Sequence, residues 1–163
     1  MELAAGSCLC GAVRYHVTGP LRDVVFCHCS RCRRTHGHFA AYTSCARKDL
    51  ELVEERGLGW YDSDGRRRGF CRECGASVFW EREGGETIGI SAGTVDPPTG
   101  LRPGRHIFTD DAGDYYELTS SERVGSETAP AAGRGQLDGH EGEYDLEPNR
   151  RGASQPRDFQ PEE

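Results

Sequence analysis

Seven of the eight cysteines fall into three short groups: "CLC" at Cys8 and Cys10, "CHCSRC" at Cys27, Cys29 and Cys32, and "CREC" at Cys71 and Cys74. Thiolates are soft ligands, and these spacings let neighbours bite one metal ion. Residues two apart on an extended stretch share a face, and a Cys-x-x-Cys pair converges from a tight turn. Joining "CLC" to "CREC", with Gly75 suited to the reversal after Cys74, gives the four-sulfur set of a closed structural zinc site. Metal binding of that kind is coupled to folding. Cys27, Cys29 and Cys32 are then left as a set of three. Zinc held by three protein ligands keeps one coordination position for an outside molecule, which marks a catalytic site. Cys45, His36 and His38 are the alternatives for a fourth ligand. Cys45 also suits a small buried position on a strand, and the two histidines also suit the surface. His28, between two ligands on an extended stretch, is expected to face away from the metal.

The rest of the chain must position these sulfurs. Of the 163 residues, those up to Leu118 carry short alternating or apolar runs, and those after it do not. The segment 119–163 holds ten acidic and five basic residues, a net of -5 out of the chain's -7, with many Gly, Pro and Ser. It is expected to be a disordered acidic tail, because it has too little apolar surface to offset its ordering entropy. His140 falls in it and is assigned no role. Residues 1–118 form the working domain and are close to neutral, which argues against direct contact with nucleic acid. No run approaches the ~18–20 apolar residues of a membrane span, and "MELAAGSCLCG" has neither the basic nor the apolar part of a secretory signal. The thiols are therefore expected to be free, in a cytoplasmic protein.

Within the domain the pattern is β. In "AVRYHV", Val13, Tyr15 and Val17 alternate with polar neighbours, as in a strand with one wet face. "HFAAYTSC", "LELVE", "LGWYDSD", "SVFWERE", "TIGISAGTV" and "RHIFT" read the same way, bounded by Gly, Pro or Asp-Gly. "DSDGRRRG" predicts a hairpin turn entering the strand "GFC", its arginines solvated. Helical turns are expected only after Cys32 and in "RKDL". The fold class is all-β, mainly strand with short helical turns, as a sandwich-like or folded sheet with zinc-bearing loops.

Taken together, "GSCLCGAVRYHVTGP", "CHCSRCRRTHG", "GFCRECGASVFW" and "ISAGTVDPPTGLRPGRHIFT" resemble the glutathione-dependent formaldehyde-activating enzyme (Gfa) or centromere protein V family. The resemblance runs from about Gly6 to Leu118. It implies an Mss4-like folded β-sheet and two zinc ions per chain. It places a structural zinc on Cys8, Cys10, Cys71 and Cys74 and a catalytic zinc on Cys27, Cys29 and Cys32. The activity it implies is carbon–sulfur lyase chemistry on a thiol–aldehyde adduct of the S-hydroxymethylglutathione type, with a glutathione-like small molecule as partner. His106 matches a histidine common in the family and is a candidate for the pocket wall. Arg33 and Arg34, next to Cys32, are candidates for a substrate carboxylate. The rival expectation is a zinc-binding interaction module on the same fold, without catalysis. Neither the identity of the thiol and aldehyde nor the oligomeric state is readable.

Overall fold

The computed structural model describes residues 3–124. Ten strands and two short α-helices follow in order: β1 (Ala4–Ser7), β2 (Arg14–Val17), β3 (Val24–Cys27), α1 (Ser30–His36), β4 (Ala40–Ala46), β5 (Leu50–Glu54), β6 (Leu58–Ser63), β7 (Arg66–Cys71), β8 (Ser77–Arg82), β9 (Thr87–Ser91), β10 (Pro103–Ile107) and α2 (Ser120–Val124). The all-β expectation holds. "RKDL" gives a single 3-10 turn, Arg47–Asp49, and the turn after Cys32 belongs to α1, which begins before that cysteine. Most of the segment expected as a tail, from residue 125 onward and including His140, lies outside the described residues.

The strands make two sheets. One has three strands in the order β1-β2-β5, and the other seven in the order β10-β3-β4-β9-β8-β7-β6. All pairings are antiparallel except that of β10 with β3, which is parallel. Alternation decides what each sheet buries. Tyr15 and Val17 of β2 point inward from the small sheet, and Cys45, Phe79, Ile88 and Ile90 point inward from the large one. Tyr15 meets Phe79 edge-on, with ring centroids 5.2 Å apart, and fastens the two layers together. The Tyr15 hydroxyl donates to Thr94 Oγ1 at 2.8 Å, since that oxygen already donates to the Ser91 carbonyl. The hydroxyl is thus satisfied in the core, and burial pushes its pKa above the ordinary range.

Ile90 has no exposed surface and sits opposite Phe79 across the β8–β9 ladder. Truncating it leaves a cavity that rigid sheets on both sides cannot collapse. Ile90→Ala is expected to cost about 2–5 kcal/mol, seen as a lower urea midpoint at fixed metal content. A midpoint within error of wild type would show that this core is not close-packed.

The turn between β6 and β7 is shorter than "DSDGRRRG" suggested. Only Asp64 (φ 52°) and Gly65 (φ 67°) occupy it, both left-handed as a two-residue type I′ hairpin requires. The three arginines that follow are strand residues, and alternation divides them. Arg67 faces Trp60, its guanidinium carbon 4.4 Å from the ring centroid, and pairs with Asp62 and Glu81. Arg66 and Arg68 point to the opposite face.

Candidate metal centres

The sulfurs of Cys8, Cys10, Cys71 and Cys74 all lie within 4.8 Å of one another. Cys8 and Cys10 come from the loop after β1, which turns back through Gly11 (φ 77°), where its N–H bonds the Cys8 carbonyl at 3.2 Å. Cys71 ends β7, and Gly75 (φ 74°) donates to the Cys71 carbonyl at 2.8 Å, closing the "CREC" turn. Neighbouring sulfurs are 3.6 Å (Cys8 to Cys10) and 3.7 Å (Cys10 to Cys71) apart. Ligands on a tetrahedron at the Zn–S distance of ~2.3 Å stand ~3.8 Å from each other, so the spacing fits a zinc-sized ion. Amide donors are ready for the anionic sulfurs: the Val13 N–H reaches Cys8 Sγ at 3.3 Å. The N–H of Ala76 leads the interactions that lower the Cys74 thiol to about 6. Gly57 is obligatory beside this centre, since a Cβ there would stand 2.7 Å from the Ala12 methyl and 3.0 Å from Cys71 Sγ.

Cys27, Cys29 and Cys32 form the second set, again with all sulfurs within 4.8 Å. Cys27 is the last residue of β3, and Cys29 caps α1, its sulfur accepting the Cys32 N–H at 3.4 Å. Cys27 and Cys29 sulfurs are 3.5 Å apart, and Cys32 and Cys27 are 3.3 Å apart. These contacts couple the three thiols. Hydrogen bonds from Cys27 and Cys32 hold Cys29 well below the thiol range. The same contact with Cys29 raises Cys27 to about 11, and Cys32 is pushed up by Cys27 and Cys29. Among the described residues no fourth Cys, His, Asp or Glu donor joins this set. Cys45 is buried in the core instead, its thiol raised to about 11 by that burial. His36 Nε2 is engaged with the Tyr42 hydroxyl at 3.3 Å, and His38 Nδ1 contacts the Tyr115 hydroxyl at 3.4 Å.

His28 lies between two of these cysteines and is completely buried. Both of its ring nitrogens are taken up, Nδ1 by the Tyr116 hydroxyl at 2.8 Å and Nε2 by His106 Nδ1 at 2.9 Å. Burial, reinforced by His106, keeps its pKa below the ordinary value, so one nitrogen donates and the other accepts. His106 stacks on Phe26 and reaches Glu122 Oε1 with Nε2 at 3.5 Å. Glu122 in turn accepts the Thr119 N–H at 2.7 Å, the returning half of a capping box at the start of α2. A chain of side chains thus runs from α2 to the peptide joining two cysteines. His28 N–H also donates to the Ile107 carbonyl at 3.0 Å, continuing the parallel ladder of β10 and β3 past Cys27. Replacing His106 with alanine is expected to loosen this segment: metal content at the second centre should fall, or its dissociation quicken by about 10–100-fold, while the first centre keeps its ion. Equal dissociation from both centres would show that the chain of side chains supports neither.

The remaining candidates separate as follows. Arg33 Nε already donates to the Asp111 carbonyl at 3.0 Å, tying α1 to the loop after β10, and Arg34 is exposed on the outer side of α1. Tyr42 and His36 lie within electrostatic reach of the sulfurs and Arg68 within reach of both, none of the three a sequence candidate for substrate binding. Burial, assisted by the nearby Arg68 guanidinium, holds the His36 imidazole below its usual value. Burial raises the Tyr42 phenol, and the Cys32 and Cys27 sulfurs act on it as well. The signal that would have found Arg68 is strand alternation through "RRRG", hidden by reading the run as a turn.

The profile of the glutathione-dependent formaldehyde-activating enzyme family matches residues 3–111. A Halomonas elongata protein that carries that family's name is 29% identical over 143 aligned residues, covering 74% of this chain and 84% of the relative. A crystal structure of a Rhodobacter sphaeroides protein is similar with a TM-score of 0.50 at 29% identity, covering 61% of this chain and 91% of that one. Tyr116 and Glu122, which hold His28 and His106, lie beyond the residues that the family profile matches.

Proposed function

The chain belongs to the glutathione-dependent formaldehyde-activating enzyme family, and on that footing we propose that it is a zinc-dependent carbon–sulfur lyase. Its substrate is a thiol–aldehyde adduct of the S-hydroxymethylglutathione type, made or broken at Cys27, Cys29 and Cys32. Cys8, Cys10, Cys71 and Cys74 hold a second, structural zinc. The observation that carries this reading is the contrast between the sets: four sulfurs converge in one, and three without a further protein donor among the described residues in the other. When bound at the three-sulfur set, zinc supplies a place for an outside thiol and lowers its pKa, so that the sulfur is nucleophilic toward an aldehyde carbon at neutral pH.

The chain's own groups do the rest. The three cysteines converge because β3 ends at Cys27 and α1 starts at Cys29, with the Cys32 N–H fixing the Cys29 sulfur. His28, clamped by Tyr116 and His106, keeps the intervening peptide from swinging. His106 is therefore a positioning residue, and Arg33, occupied by Asp111, braces α1. Tyr42 and His36, hydrogen-bonded to each other and within electrostatic reach of the sulfurs, are the groups available to take a proton from the thiol or pass one to the adduct oxygen. A donor set of reduced thiols suits a cytoplasmic location.

The test is turnover of the zinc-replete protein with paired thiols and aldehydes, formaldehyde with glutathione first, followed by NMR exchange between free aldehyde and adduct. Exchange faster than the spontaneous rate for at least one pair is expected. No acceleration with any pair would overturn the lyase reading and favour an interaction module.

A further inference from the structure

The register of the large sheet sets the three-cysteine centre and two of the arginines on one face. Cys27 shares its side of the sheet with Tyr42, because Val25 pairs with Tyr42 and Cys27 with Ala40. Tyr42 pairs with Ser91, and two residues along the same strands Ser44 pairs with Gly89. Gly89 pairs with Trp80, Trp80 with Arg68, and Arg66 with Arg82. Side chains at paired positions point the same way. This face therefore runs from the Cys27 sulfur past Tyr42 and Trp80 to Arg68 and Arg66. It is drawn toward α1 at its far edge as well: Arg31 of α1 bonds Asp64, at the tip of the β6–β7 hairpin, at 2.8 Å. The opposite face is the core, where Arg67 is neutralised by Asp62 and Glu81.

Arg66 and Arg68 have no ion-pair partner among the described residues, although acidic side chains satisfy Arg31, Arg47, Arg56 and Arg67. Arg68 is half-buried and stands close enough to Tyr42 and His36 to act on both electrostatically. A half-buried guanidinium without a carboxylate, on the same face as a thiol-binding centre, is a place for a substrate anion.

We propose that Arg68, seconded by Arg66, is the seat of the site for a carboxylate of the thiol substrate. The half-buried Trp80 and Tyr42 floor the path between seat and sulfurs. This deepens the lyase reading and rests on it. Glutathione fits the requirement, with a carboxylate on each side of its cysteine. Its dimethyl ester keeps the thiol and loses both charges.

The experiment compares calorimetric binding of glutathione and of its dimethyl ester to the zinc-loaded wild type, Arg68→Gln and Arg68→Lys, each checked for metal content and thermal midpoint. Wild type is expected to prefer glutathione, and Arg68→Gln to lose about tenfold or more of that preference. Arg68→Lys, which keeps charge without the planar fork, should retain part of it. It carries the same comparison if the glutamine variant does not fold. Preference for the free acid undiminished in both variants overturns the seat. So does a wild type that binds both ligands equally, and in either case the lyase reading stands. A wild type that binds neither ligand overturns the seat and removes glutathione as the thiol, while the lyase reading is decided separately by exchange with the other thiols.

Discussion

Loss of one sulfur from the four-cysteine centre should unfold the domain. Cys10→Ser and Cys71→Ser are both expected to lack the cooperative thermal transition of the wild type, and the wild type itself should lose it in strong chelator. Structural zinc centres bind with apparent free energies of about 10–16 kcal/mol, and that energy is folding energy. Whole domains are stable by only about 5–15 kcal/mol, so a domain of this size cannot spare the contribution. The centre joins the loop after β1 to the end of β7, and thereby the small sheet to the large one. The two variants separate metal from packing. Cys71 is a fully buried member of the core, so a serine there also buries an unpaired hydroxyl, whereas Cys10 is exposed. Unfolding of both assigns the loss to the metal. An unchanged midpoint in Cys10→Ser would show that this cluster does not staple the fold.

Cys29→Ser should do the opposite: keep the fold and remove the chemistry. Serine is a favoured N-cap, and its oxygen can accept the Cys32 N–H as the sulfur does, so α1 survives. A neutral hydroxyl is a poor substitute for a soft thiolate ligand. Zinc content measured by mass spectrometry should fall from about two ions per chain to about one. Adduct exchange should drop by more than about 100-fold, beyond the effect of a supporting residue. Cys29 is the right position to test because serine there keeps the cap on α1 while taking one sulfur from the set. Two ions retained by the variant, at wild-type exchange rates, would remove the catalytic role from this centre.

Much of this was legible. Paired cysteines announce convergence because sulfur has few other reasons to recur at such spacings, and strands with one wet face, such as β2, betray themselves by alternation. The misreadings have physical causes. In "DSDGRRRG" the turn signal of Asp-Gly is genuine, but composition alone spread it over residues that the β6–β7 ladder claims. A run of like charges looks solvated until alternation sends Arg67 to the core edge and Arg68 toward the cysteines. The partners of His28 are 78 and 88 residues away in sequence, and no local pattern reports a parallel contact such as that of β10 with β3. "TSSE" carries a capping-box signature at Thr119–Glu122, but a short motif is easily lost in an acidic, glycine-rich context.

The two centres also differ in how much chain separates their sulfurs. Cys27, Cys29 and Cys32 span five positions, while Cys10 and Cys71 are 61 positions apart. Closing a long loop costs more entropy than closing a short one, and a nascent chain offers the nearby trio well before "CREC" has been synthesised. The trio can therefore capture an ion on the ribosome, whereas the quartet can close only after β7 is made. If the two sets hold zinc as proposed, biosynthesis under zinc limitation would leave chains loaded at the trio but not at the quartet, and these would be the first cleared by proteolysis.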